Sequence, residues 1–309
     1  MTETASLSAP LAPPSVRLGL AITSELSEAQ AFTRELTHTH YENFSVISWF
    51  VPRHLRQDFC NIYAFCRIAD DAGDEAGDPQ TATALLADLK DRTESCFAGQ
   101  SGTALFVALA DTISRHDIPK KPLLDLIDAF QQDQRVTRYE TFEQLLDYCR
   151  RSADPVGRIV LHLFGYHDEH RMSLSDQTCS ALQLTNFWQD VRRDILDRDR
   201  IYLPRSDMDQ FGVTEAQVQD GRYDENYRRL IEFEVDRTEM MFTAGDALPP
   251  LVAPEYRKQI ALFGSGGRAI LKAIRVQGFD TLSFRPALSR WRKFTLACKL
   301  ILGSGGSAA

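Results

Sequence analysis

Two short acidic stretches hold the residues of this chain best suited to chemistry. In "RIADDAGDE", Arg67 to Glu75, four carboxylates fall within six positions. Asp70 and Asp74 are four residues apart, so on a helix they stand one turn above the other on one face. Asp71 and Glu75 form a second such pair, about 100° round the axis. In "NFWQDVRRD", Asn186 to Asp194, the pair Asp190 and Asp194 repeats the spacing, and Asn186 precedes it by one turn. Like charges at this spacing repel by about 0.2–0.5 kcal/mol per pair. Arg67 lies one turn before Asp70 and Asp71, but one guanidinium does not neutralise four carboxylates. A divalent cation would. Few carboxylates per ion, completed by water and substrate phosphate, is the donor set of Mg²⁺. Two aspartate pairs turned into one cavity would hold several such ions on a diphosphate. The ions would help it leave as an anion, with a carbocation left behind.

A lone acidic i,i+4 pair is usually a solvated helix face. Both pairs here sit in apolar, aromatic company, "FCNIYAFC" and "ALQLTNFW", which weighs against that reading. Other residues speak more softly. Tyr63 lies one turn before Arg67 and two before Asp70; it faces the same cavity or is a core residue with a tethered hydroxyl. His40, Tyr41 and Asn43 in "HYENFS" cap a helix or contact phosphate. Arg53 and Arg56 in "VPRHLR" are anion ligands or surface charge. Arg150 and Arg151 precede a break at Pro155, and Gly157 allows close backbone approach there.

The elements that must position these residues are helices. Apolar residues recur at helical spacing nearly throughout, and strand alternation is scarce. The pattern predicts helices over about 26–37, 55–76, 79–97, 102–115, 120–135, 141–152, 155–165, 172–198, 214–220, 223–246 and 255–277, with breaks at "GDP", "AGQSG", Pro119, "FGYHD" and "LPP". The expected organisation is a Pro/Ser/Ala-rich disordered segment over 1–25, one all-α domain over 26–300 whose interior holds a ligand, and a flexible tail over 301–309.

Composition narrows the class. Hydrophobic residues make up 43% and charged residues 25%, as in an ordinary globular protein. A formal net charge of −8 argues against nucleic acid as a partner, since phosphate backbones need a basic face. The six cysteines form no CxxC pair and no zinc spacing, and read as reduced thiols in a cytoplasmic protein. No signal peptide and no spanning apolar run is expected. "GSGG" at 264–267 falls in a helical context and is a poor dinucleotide signal.

"YAFCRIADDAGDE", "DYCRRSADPVGRIVLHLFG", "ALQLTNFWQDVRRD" and "DRIYLP", in this order and at these separations, resemble the squalene/phytoene synthase family over roughly residues 36–280. Within that family, "HYENFSVISWFVPRHLR" and "YCRRSADPVGR" are similar to the bacterial hydroxysqualene synthases of hopanoid biosynthesis. Gln189 stands where sister enzymes carry Arg, and Phe187–Trp188 replace an aliphatic pair. Arg150 stands near a tyrosine of many relatives. The resemblance implies an all-α isoprenoid-synthase fold with a central cavity. It implies two or three Mg²⁺ ions on Asp70, Asp74, Asp190 and Asp194, with Asn186 assisting and Tyr63 and Arg67 near the diphosphate. His40, Tyr41, Asn43, Phe44, Arg53, Arg56, Arg150, Phe187 and Gln189 are the further candidates for substrate contact. Phe44, Phe187 and Trp188 offer aromatic faces to a cation. Arg285 and Arg290 receive no role.

The activity so implied is conversion of presqualene diphosphate to hydroxysqualene by ionisation, rearrangement and water capture, with no NADPH. Functional coupling to a presqualene diphosphate synthase and a hydroxysqualene dehydroxylase follows, as does peripheral membrane contact. The rivals are head-to-head condensation of two prenyl diphosphates, and a non-catalytic binding or assembly role. Relatives in that last group tend to lose metal-site aspartates, and both sites are complete here.

Overall fold

Helix-forming periodicity and strong caps dominate the architecture. The computed structural model describes residues 12–39 and 51–286, and no β-strand is present among them beyond two isolated bridges. These residues fall into two compact units that meet in sequence between Arg135 and Val136. No Pro-, Gly- or Ser-rich linker marks that boundary, so composition does not announce it.

The first unit contains α1 (Pro14–Gly19), α2 (Leu26–Thr39), α3 (Arg56–Asp74), α4 (Pro79–Phe97), α5 (Ala104–His116) and α6 (Lys120–Asp133). Helix α1 corrects the expectation of disorder up to residue 25. Pro14 begins it, where a missing N–H costs nothing, and Ser15, Val16 and Gly19 are buried. A Cβ on Gly19 would fall 2.4 Å from the Ile68 side chain, so glycine there lets α1 pack closely on α3. Helix α4 starts where the sequence places it: the Asp78 carboxylate accepts from the Gln80 and Thr81 N–H groups, and Pro79 follows. Helix α3 packs against all five others. Its buried residues Ile62, Phe65, Ile68, Ala69 and Ala72 recur at helical spacing. By the 3.6-residue repeat, Tyr63, Arg67, Asp70 and Asp74 form a stripe on the opposite side.

The second unit contains α7 (Phe142–Ser152), α8 (Asp154–Leu163), α9 (Glu169–Arg198), α10 (Arg205–Phe211), α11 (Glu215–Gln219), α12 (Glu225–Gly245) and α13 (Pro254–Val276). Thr141, Asp168, Thr214 and Asp224 cap α7, α9, α11 and α12 through their side-chain oxygens. Helix α10, seven residues long, is absent from the helices that the sequence pattern predicts. The 30-residue α9 is the spine, packed against α7, α8, α11, α12 and α13. The expected break between α7 and α8 falls at Ala153 (φ −126°, ψ −51°). Just beyond it, a Cβ on Gly157 would lie 2.3 Å from Ser175 Oγ, so α8 can approach α9 this closely only with glycine there.

Candidate active site

The carboxylates of α3 divide into two kinds. Asp71 is buried, with 2% of its side chain exposed, and pairs with Arg67 Nη2 at 2.5 Å. It also accepts a hydrogen bond from the Ser15 hydroxyl, which ties α1 to α3. Asp71 is therefore a packing anion. Asp70 has 43% of its side chain exposed and lies 3.6 Å from Arg67 Nη1. Asp74 is exposed at the last turn of α3. Arg67 also reaches Glu75 at 2.9 Å, so one guanidinium serves three carboxylates of its own neighbourhood. Tyr63 is half-buried on the same stripe. Burial pushes its phenol above the usual range, Arg67 opposes this, and Asp70 and Asp71 add to it. Its hydroxyl is thus a proton donor at neutral pH.

The other candidates in the first unit are less well placed. Arg53, in a 3-10 turn just before α3, and Arg56, its first residue, are exposed, and Arg56 Nε donates to the Val51 carbonyl. Fourteen residues of helix put Arg56 about 21 Å along the axis from Asp70, too far for both to close on one phosphoryl group. His40, Tyr41, Asn43 and Phe44 lie outside the described residues.

In the second unit, α9 carries the other stripe. Asn186 is exposed, Asp190 is buried and Asp194 is half-buried. Burial first, and then the charge of Asp190, pushes the Asp194 carboxyl up to about 7. The same face of α9 continues toward its N-terminus as Gln183, Leu182, Cys179 and Ser175. These residues, with Asn186, line a largely apolar cavity of about 330 Å³ closed by Val156, Val160, Leu248, Ile260 and Phe263. The cavity ends at Asn186, and the same helix face carries the two carboxylates one and two turns further on. A wider hollow of about 490 Å³ by Ile22, Arg92, Gln100 and Phe106 touches neither stripe.

Four expectations for this unit need correction. Trp188 does not offer a face to a ligand. It sits about 200° round α9 from Asn186, is fully buried, and its indole N–H donates to Thr238 Oγ1 at 2.8 Å. Phe187 is buried too, stacked on Tyr202 with centroids 3.7 Å apart and planes 7° from parallel. Arg150 is on the water side of α7, 66% exposed, 4.0 Å from Asp147. Gln189 is buried and gives its amide N–H to the Pro286 carbonyl.

Arg285 is the residue that sequence reasoning missed. Its guanidinium forks onto Asp190, with Nε on Oδ1 and Nη2 on Oδ2 at 3.0 Å. The partners are 95 residues apart, and no local spacing signals the pair. Another charge outside both stripes is Asp154. It accepts from Ser180 at 2.7 Å, and burial pushes its carboxyl up to about 7 against that hydrogen bond.

Among the described residues no group of three or more His, Cys, Asp or Glu side chains converges as a metal cage. Each stripe instead presents two carboxylates at i,i+4, and α9 adds an amide oxygen. This is a hard-oxygen donor set with too few protein ligands to close a coordination shell. It fits Mg²⁺ that keeps water and shares a phosphate, and fits neither zinc nor a calcium cage. No helix among the described residues is long and apolar enough to cross a membrane, and Cys60, Cys66, Cys96, Cys149 and Cys179 are free thiols.

Residues 37–292 match the family model described as squalene/phytoene synthase. The chain is similar to the 15-cis-phytoene synthase of Synechococcus elongatus, 30% identical over 87% of this chain and 91% of that protein. It is 33% identical to the hydroxysqualene synthase of Sinorhizobium fredii over 67% and 70% of the two chains. Among solved structures, the squalene synthase HpnC of Alicyclobacillus acidocaldarius superposes with a TM-score of 0.79. It is 47% identical and is matched over 86% of this chain and 98% of that one.

Proposed function

Because the chain belongs to the squalene/phytoene synthase family, with the all-α isoprenoid-synthase fold, we propose that it converts presqualene diphosphate to hydroxysqualene. The observation that carries this reading is the continuous face of α9, from apolar cavity through Asn186 to Asp190 and Asp194. It suits a ligand with an oily tail and an anionic head. The choice within the family is supported by likeness to hydroxysqualene synthases.

In this reading Asp70, Asp74, Asp190 and Asp194, with the Asn186 amide oxygen, would hold Mg²⁺, which when bound would supply charge neutralisation for the departing diphosphate. Arg67 adds a guanidinium beside Asp70, and Tyr63 adds a neutral donor. Leu182, Val156, Ile260 and Phe263 hold a prenyl arm out of water by apolar burial. Loss of diphosphate leaves a cyclopropylcarbinyl cation, which opens to a linear allylic cation. Water adds to it, and the proton released goes to the freed diphosphate. No hydride donor is needed.

The deciding experiment supplies presqualene diphosphate and Mg²⁺, with and without NADPH, and identifies the product. Hydroxysqualene in both arms is the expected result; squalene only with NADPH overturns the water step. The phytoene synthase likeness favours a second reading, condensation of two prenyl diphosphates. Farnesyl diphosphate alone separates the two. Accumulation of a cyclopropyl diphosphate would establish condensation, whereas no turnover until presqualene diphosphate is added supports the first reading.

A further inference from the structure

Arg285 arrives at Asp190 on a non-helical arm that follows α13. The arm is tied down along its length. The Tyr223 hydroxyl donates to the Gly278 carbonyl at 2.6 Å, and the Tyr227 and Thr281 hydroxyls meet at 2.8 Å. The Asp280 carboxylate accepts from the Leu282 and Ser283 N–H groups, and the Gln277 amide donates to the Phe284 carbonyl at 2.9 Å. The last tie is Gln189 on the Pro286 carbonyl, one residue past the arginine and one residue before Asp190. The arm is thus built to deliver this side chain to this carboxylate.

The pair is layered. The Asp190 side chain is 6% exposed and that of Arg285 49%. The anion lies beneath and the cation lies on the water side. Both carboxylate oxygens accept from the fork, a geometry that a guanidinium holds better than any other side chain. A cation approaching Asp190 from solvent meets a positive charge in its place.

We propose that Arg285 is a built-in competitor for the cation at Asp190, and that the arm sets how strongly it competes. The inference rests on the reading of Asp190 as a metal ligand. Metal binding then requires the guanidinium to leave the carboxylate. Metal affinity in the absence of substrate is held down by the strength of one bidentate ion pair and by the hydrogen bonds that aim it.

Titration of the full chain with Mn²⁺, read by the electron paramagnetic resonance signal of the free ion and with no substrate present, tests this. Arg285→Gln is expected to bind Mn²⁺ on the order of tenfold more tightly than the native chain. Arg285→Lys, a point charge that cannot fork, should fall between them. Gln189→Ala, which loosens the arm and keeps the charge, should gain a smaller factor of about two to three. Adding Asp190→Asn to Arg285→Gln should abolish the gain. A structural lesion does not raise metal affinity, so the direction separates the two causes. Unchanged or weaker Mn²⁺ binding by Arg285→Gln overturns the competitor and leaves the metal reading standing. No Mn²⁺ binding by any of these proteins overturns both. If Arg285→Gln fails to fold by circular dichroism, Arg285→Lys decides by the same criterion.

Discussion

The acidic stripes of α3 and α9 share one spacing and differ in where their positive charge comes from. On α3 the cation is Arg67, in the same helix, three and four residues from Asp70 and Asp71. On α9 the cation is Arg285, brought from 95 residues away by a pinned arm. Asp70 is substantially exposed and Asp190 is buried. Identical i,i+4 motifs therefore sit in different electrostatic surroundings. One is screened by water and compensated locally. The other is desolvated, so that burial first and the Asp190 charge second raise the pKa of Asp194, and it depends on tertiary structure for its counter-charge.

The largest expected effect erases the difference. If both stripes serve one ionisation, Asp70→Ala and Asp190→Ala should each lower diphosphate release by on the order of 10³-fold, the scale of losing a preorganised electrostatic contact. Pyrophosphate release from presqualene diphosphate measures it. A loss confined to one variant would mean that the other stripe does not serve the ionisation.

Asp71 sharpens the contrast on stability. It carries the same charge as Asp70 one position away, yet it is buried between Arg67 and Ser15. Asp71→Ala leaves Arg67 without its buried partner and should cost about 3 kcal/mol, whereas Ser15→Ala should cost about 1 kcal/mol. Asp70→Ala should be nearly neutral by the same urea titration. Equal costs at 70 and 71 would contradict the division of the α3 carboxylates into packing and ligand groups.

Much of this was readable in the sequence, and the limits have physical causes. Helices of ten or more residues repeat their period often enough to be seen, as α4 does from Asp78–Pro79 onward; of the shorter ones, α11 fell within an expected helix and α1 and α10 did not. The stripe Asn186, Asp190, Asp194 was legible because i,i+4 fixes the face. Phe187 and Trp188 were misread because residue type carries no angle. The repeat itself turns Trp188 away from Asn186, toward Thr238. Arg285 was beyond reach because a long-range ion pair has no periodicity. The packing role of Asp71 was not legible, because its partner, Ser15, lies in a segment whose composition reads as disordered.

The titration of Asp194 gives a smaller effect with a definite sign. Its folded carboxyl sits at about 7 against an ordinary 3.8, through burial first and Asp190 second. The folded protein therefore favours the neutral acid. The stability that this contributes is complete below about pH 4 and is lost as pH rises through about 7. In chelator, the melting temperature should fall across that window, and Asp194→Asn, which cannot ionise, should remove part of the slope. Allowing for partial exposure, the part removed should correspond to about 1–2 kcal/mol. Asp154, raised to about 7 in the same direction, should account for a further part, which Asp154→Asn removes separately. A slope unchanged in Asp194→Asn would show that the folded protein does not hold the Asp194 carboxyl neutral.

Arg150 supplies the smallest effect and a control on the whole comparison. It is a cation next to a helix break, as a sequence-based expectation of substrate contact requires, but it stands in water beside Asp147 with a 4.0 Å separation. An ion pair of that length between two exposed side chains contributes about 0–1 kcal/mol. Arg150→Ala should therefore leave stability within about 0.5 kcal/mol and kcat/KM for presqualene diphosphate within about twofold. Arg67→Ala should lower kcat/KM far more, because Arg67 alone among these two sits against the ligand carboxylates. If Arg150→Ala instead raised KM strongly with kcat unchanged, Arg150 would contact bound substrate. Its exposure beside Asp147 would then describe only the protein without its ligand.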